Sequence, residues 1–380
     1  PTTTVAPTTT VAPTTTVAPT TTVLEQCAND FSIVDTYSVS FLAELTPTDA
    51  GSFVDDLVFD GAYIWGVVYS GFVFKLNASD GEVVDVYPVS HIADSVLFDG
   101  AHIWVAGDNA DYDGRRVAGE GTVSKLNASD GEVVDVYPIS HNIARILFDG
   151  AHIWVAGRDG ISKLNASDGE VIGVYPVGLD PPEQRMGDRI SWLGFDGTHV
   201  LINTVGLERS HVWKLRVSDG APELLADLSY IDDLYVSNGE VFSFDGVYLW
   251  SSHQTLEHYS SDYVLAKTRV DDGKMVAYYN LNKEPEYAET GFVSDGTHLW
   301  SFSLREPSVF KRRLSDGFYN PGNGSWDLFV VSDIYTIEVT DDWLGNLLGF
   351  DGIYVWIGNS RDGTVSRIYA GDFPCEAPTT

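Results

Sequence analysis

One short phrase recurs seven times along this sequence, and that recurrence constrains the fold more than any other feature. Phe59-Asp60-Gly61-Ala62-Tyr63-Ile64-Trp65 and Phe98-Asp99-Gly100-Ala101-His102-Ile103-Trp104 are two copies, and the Asp-Gly step returns at 60, 99, 149, 196, 245, 295 and 351. The intervals of 39 to 56 residues each suit one supersecondary unit, which cannot bury its apolar face alone and must stack on its neighbours. A second phrase runs in step: 75–81, 125–131 and 163–169 all read KLNASDG, drifting to KLRVSDG at 214–220, KTRVDDG at 267–273, KRRLSDG at 311–317 and SRIYAGD at 366–372. Two independent series therefore give the same count.

Asp-Gly between alternating apolar runs is a strong hairpin signal, because both residues tolerate the positive φ of a tight turn. Strand a is predicted to end at Phe-Asp-Gly, strand b to carry the Ile-Trp run, strand c to end at Ser-Asp-Gly, and strand d to follow, as over 83–89. Seven four-stranded meanders predict an all-β, seven-bladed β-propeller, a ring that reaches 380 residues without a second domain. Trp65, Trp104, Trp154, Trp250, Trp300 and Trp356 share one repeat position, with Leu201 in the seventh, and are expected to pack between blades.

The seventh blade runs out of chain after its strand c, so its fourth strand must come from elsewhere. Residues 33–45 precede the first blade, alternate as a strand does, and read IVDTYSVS where strand d of the first blade reads VVDVYPVS. They are the expected closing strand, since an unpaired edge would leave a ladder of backbone groups open. That topology brings together the chain's two cysteines, Cys27 and Cys375, and predicts a disulfide between them, hence an oxidising compartment.

The propeller is expected over 27–376, preceded by a tail over 1–26, with 377–380 reading as the start of another Thr/Pro tract. The tail repeats PTTTVA with no charge and no aromatic residue over its first 23 positions, and such text forms no core. Its prolines favour an extended spacer. Thr2, Thr3, Thr4, Thr8, Thr9, Thr10, Thr14, Thr15, Thr16, Thr20, Thr21 and Thr22 are candidate O-glycosylation sites, and the same segment is expected to link or dock neighbouring copies. Asn77, Asn127, Asn165 and Asn323 stand in Asn-x-Ser sequons as N-glycosylation candidates. A net charge of -33 argues against nucleic acid and anionic membranes as partners, and no apolar run is long enough to span a bilayer. The text opens at Pro1 without a leader, so any signal segment would lie outside it.

The FDG-x-[HY]-[IV]-W and KLNASDG phrases resemble those of YVTN-type and NHL-type seven-bladed propellers of prokaryotic surface or exported proteins, over about residues 33–372. Thr-Thr-Thr-Val-Ala-Pro linkers resemble those of secreted actinobacterial proteins. The resemblance implies the fold. For function it leaves lyases, lactonases, adhesins and passive scaffolds open.

Candidate sites follow from the meander: a–b and c–d turns share one face of the ring, b–c and d–a connections the other. On that second face, at the channel mouth, the sequence offers His91, His141 and Arg145, together with Asp56, Asp188 and Arg189. A lyase would need a His base, a carboxylate and a metal there, but no spacing singles these residues out. His102, His152, His199 and His298 interchange with Tyr63, Tyr248 and Tyr354 at one repeat position, which predicts a structural role. Asn109, Asp111, Asp113 and Glu120, with Gly114 between, match the spacing of a calcium loop, although Arg115 and Arg116 interrupt it. No cofactor beyond such a calcium ion is expected. The leading expectation is a non-enzymatic extracellular structural or adhesive protein, able to form filaments through its tail. A module binding carbohydrate or another ligand is the alternative, and a lyase or lactonase a third class.

Overall fold

In a computed structural model, the described residues are 35–38, 54–110, 116–157, 160–175, 189–206, 210–231, 234–255, 263–280, 289–303, 308–313, 331–336, 346–359 and 364–370. All fall in the unit Ser32–Gly371; a second unit, 1–31 with 372–380, lies outside them and contains Cys27, Cys375 and the whole Thr/Pro tract.

Among the described residues the structure is all β. Blade 1 is the antiparallel meander a (Val54–Phe59), b (Tyr63–Val68), c (Phe72–Asn77), d (Val83–Pro88), and five further blades follow the same order along the chain. Blade 5 adds the short strand Tyr230–Ile231 beside its strand a. Each strand a neighbours the next blade's strand a, and that of blade 7 (Asn346–Phe350) returns to that of blade 1. The result is a seven-bladed β-propeller.

Blade 7 takes its outer strand from the start of the chain. Asp35–Ser38 pairs antiparallel with strand c of that blade (Thr364–Tyr369), with Asp35 opposite Arg367 and Ser38 opposite Thr364. The expected closing strand is therefore present within the predicted 33–45 span. Edges elsewhere are blunted: in blades 1 to 6 the c–d ladder slips by one residue, leaving a bulge on strand d.

The two repeated phrases turn out to be halves of one lock. The Asp of Phe-Asp-Gly uses Oδ1 to accept two turn amides and Oδ2 to accept the indole N–H five residues on: Trp65 Nε1 to Asp60 at 2.7 Å, Trp104 to Asp99 at 2.7 Å, Trp356 to Asp351 at 2.7 Å. Burial opposes ionisation of Asp99, Asp149 and Asp295, but the indole and amide donors outweigh it and hold these carboxyls below their ordinary range. All six tryptophans are buried, and their clusters combine residues of adjacent blades, as Trp65 does with Ile103.

A tyrosine of strand d stacks on that indole: Tyr87 on Trp65 with centroids 5.6 Å apart, Tyr137 on Trp104 at 5.8 Å, Tyr175 on Trp154 at 5.8 Å. The lysine of KLNASDG lies over the indole and donates to the next blade's c–d turn, Lys75 Nζ to Ala128 O at 2.8 Å and Lys125 Nζ to Ala166 O at 2.7 Å. Each tyrosine ring then covers the glycine of that same turn. At Gly131, with φ of +74°, an added Cβ would fall 2.1 Å from Tyr87, so both conformation and space require glycine.

Candidate functional site

The face carrying the b–c and d–a connections is irregular around blades 1 and 2. Strand b of blade 2 (His102–Ala110) and its strand c (Arg116–Asn127) extend well beyond the corresponding strands of blade 1, forming a long hairpin. In strand a of blade 1 the register slips between Val54 and Asp56, so Asp55 is the extra residue of a bulge. The bulge and the hairpin converge on one guanidinium.

Arg116, opposite Ala110 at the turn end of the hairpin, donates to both oxygens of Asp94 at 2.7 and 2.5 Å and to Asp108 Oδ2 at 3.0 Å, and its guanidinium lies 5.0 Å from the Tyr69 ring centre. Asp108 Oδ1 also accepts the Ile143 amide at 2.6 Å, tying the hairpin to the connection into blade 3. The Asp94 bonds, assisted by Asp108, hold Arg116 firmly protonated. Asp55 stands beside this pair with Oδ2 buried and without a hydrogen bond. Burial, reinforced by repulsion from Asp94 and Asp56 and only partly relieved by Arg116, pushes its carboxyl up to about 7. The region is thus a carboxylate cluster around one cation, and its net charge changes near neutral pH.

Asp56 serves a different end. Its Oδ2 accepts the Ser95 hydroxyl at 2.8 Å and the Val96 amide at 3.0 Å, stapling strand a of blade 1 to that of blade 2 (Ser95–Phe98). Burial raises its pKa, opposed by these donors and by the charge of Arg145. Arg145 is exposed at the start of strand a of blade 3 and donates to the Ala144 carbonyl.

His91 and His141 are both buried. His91 bonds through Nδ1 to Ile92 O at 2.7 Å and through Nε2 to Ser124 Oγ at 3.0 Å, while His141 repeats this with Asn142 O at 2.8 Å and Ser162 Oγ at 2.9 Å. Each ring pins the d–a connection onto strand c of the following blade, with both nitrogens engaged. Burial lowers the pKa of His91 and favours the neutral ring.

The remaining candidates divide. Of the calcium-loop residues, Asp111 and Asp113 lie outside the described residues, as do Gly114 and Arg115; Asn109 Oδ1 accepts the Thr122 hydroxyl at 2.6 Å, and Glu120 is exposed on strand c of blade 2. No cluster of three metal-ligating side chains occurs among the described residues. Asp188 is outside them, and for Arg189 only the backbone, opening strand a of blade 4, is described. His102, His152, His199 and His298 sit 3.1 to 3.5 Å from the turn aspartates, consistent with a structural role. Asn77, Asn127 and Asn165 end strand c of blades 1 to 3, and Asn323 lies outside the described residues. Asn77 Oδ1 accepts the Ser79 amide and hydroxyl, so its turn is built by the sequon itself.

Asp55, Asp94 and Asp108 escape sequence reasoning because no spacing links them. The extended hairpin, visible as the longest early insertion, was the available signal.

No family model and no curated protein matches the chain. Among solved structures it is similar to the β-propeller domain of Cps50 (Swd1) from Myceliophteria thermophila, at 10% identity and a TM-score of 0.60, covering 89% of this chain and all of that one. It is also similar to the WD40 repeats of RRP9, at 10% identity and a TM-score of 0.58, over 89% of this chain and 98% of that one. Such likeness establishes the propeller fold and nothing finer.

Proposed function

We propose that this chain is a non-enzymatic extracellular bead of the YVTN/NHL kind, held to neighbouring copies through its Thr/Pro tract. The observation that carries this reading is the closing strand. The outermost strand of blade 7 is formed by Asp35–Ser38, so the residues that close the ring follow the Thr/Pro tract in sequence.

The chain's two cysteines, Cys27 ahead of the closing strand in sequence and Cys375 after strand c of blade 7, support an oxidising compartment. The burial of His91 and of His141 supports a non-enzymatic reading, since a general base must be reached by its substrate.

Electron microscopy and light scattering on the full chain and on a version lacking residues 1–23 test the tether. Concentration-dependent association of the full chain alone is expected; identical monomers in both samples would refute it. A second reading, a module binding a carbohydrate or another polar ligand, is favoured by the Arg116 cluster beside Tyr69, which offers polar and aromatic contacts on one face. A glycan array with wild type and Arg116→Ala tests it: a signal lost in the variant supports this reading, and no signal rejects it for carbohydrates.

A further inference from the structure

Two residues before the turn Asp, blade 5 carries Ser243, and four blades carry an aliphatic residue: Val58 in blade 1, Leu97 in blade 2, Leu147 in blade 3 and Val293 in blade 6. Each of these side chains packs into the cluster shared with the following blade: Val58 with Trp65 and Ile103, Leu97 with Trp104 and Ile153, Leu147 with Trp154 and Val200, Val293 with Trp300 and Val355. Blades 4 and 7 carry glycine at this position, Gly194 and Gly349. At Gly194 the Trp192 ring occupies the vacated space, 2.0 Å from where a Cβ would stand. At Gly349 an added Cβ would meet nothing within 4 Å.

A cavity of about 440 Å³ lies at this place, between blades 7 and 1, with Leu57, Val58, Ile64, Phe350 and Trp356 among its walls. Its volume falls in the range of small-ligand sites, and glycine inside a strand is a device for admitting a group close to the backbone. Asp351 is its charged wall residue, and the carboxylate is already committed, accepting the Ile353 and Tyr354 amides and the Trp356 indole. The cavity therefore offers apolar contact and repels anions. The recess opens to solvent on one side, so an uncharged ligand can enter it and cover its apolar walls.

We propose that the closure seam holds a binding site for a small uncharged aromatic or branched aliphatic group, seated over Gly349 against Val58 and Phe350. The inference is independent of the tether, since it concerns only the blade 7 to blade 1 contact.

Calorimetric titration of the full chain with toluene, and separately with benzoate, tests it in wild type, Gly349→Val and Gly349→Ala. Wild type is expected to bind toluene saturably with a Kd of about 1 mM or tighter. Valine, the residue blades 1 and 6 carry here, should weaken that at least about tenfold by filling the space, and benzoate should bind wild type at least about tenfold more weakly than toluene. Absence of saturable toluene binding, or equal affinity in wild type and Gly349→Val, would overturn the site. Equal binding of benzoate would overturn the assigned ligand class. Should the valine variant not fold, Gly349→Ala decides: weakened toluene binding supports the site and unchanged binding removes it.

Discussion

The contact between blades 1 and 2 and the contact between blades 7 and 1 are made from the same parts, yet they are assembled differently. In the first, Trp65, Tyr87, Lys75 and Gly131 come from one stretch of chain. In the second, Trp356 and Arg367 come from the end of the chain, while Tyr37 arrives from its start and stacks on Trp356 with centroids 6.2 Å apart. Arg367 replaces the usual lysine, reaching both Ala78 O and Ser79 O in the turn of blade 1. Its planar fork can hold two carbonyls in fixed geometry. The difference teaches that closure is a joint between the two ends of the chain: the outer strand of blade 7 precedes blade 1 in sequence, while its three inner strands come last.

The two contacts also differ in what they leave unsatisfied. Blade 1 beside blade 2 carries a buried carboxyl oxygen, Asp55 Oδ2, without a hydrogen bond, whereas blade 7 beside blade 1 carries unfilled apolar space at Gly349. One is an electrostatic defect and the other a packing defect.

The comparison can be broken most severely by deleting residues 1–38, which removes the closing strand. Calorimetry is expected to show a melting temperature lowered by about 10 °C or more, with association through the exposed edge of blade 7, whereas deletion of 1–23 leaves melting unchanged. Next in size, Tyr37→Ala should cost about 3 kcal/mol in urea unfolding and Tyr87→Ala a similar amount. Unequal costs would show that the closing contact is not equivalent to the others. Gly81→Ala should follow at about 2 kcal/mol, because φ is +69° there and a Cβ would stand 2.0 Å from the Tyr37 ring.

The electrostatic defect has a pH signature. Asp55 titrates in the folded protein at about 7 against an ordinary 3.8, so between these values the native state binds more protons than the unfolded chain. Its contribution therefore weakens stability as pH rises from about 4 to about 7. Asp55→Asn should abolish that slope, raising the urea midpoint at pH 8 relative to wild type and changing little at pH 4. Smallest of all, Gly349→Val should stabilise by about 0.5 to 1 kcal/mol through buried apolar contact, measurable as a higher urea midpoint.

The ring was legible because its parts repeat. Seven Asp-Gly steps predict the blade count, and Tyr37 was readable as the equivalent of Tyr87 because IVDTYSVS matches VVDVYPVS. What did not repeat was not legible. Arg116 collects Asp94 and Asp108 from separate elements whose approach depends on a bulge and an extended hairpin. Repetition reaches the histidines too: His91 and His141 are equivalent because the same pin is used in two successive blades. Gly194 and Gly349 are equivalent in sequence as well, and only the third dimension shows that Trp192 fills one space and leaves the other open.

The account rests on the chain closing its own ring in the register set by Asp35–Ser38 against Thr364–Tyr369. Mass spectrometry of the protein alkylated and digested without reduction tests this most directly. A single cross-linked peptide pair containing Cys27 and Cys375, separating on reduction, is the predicted result; two alkylated cysteines in the unreduced protein would contradict it.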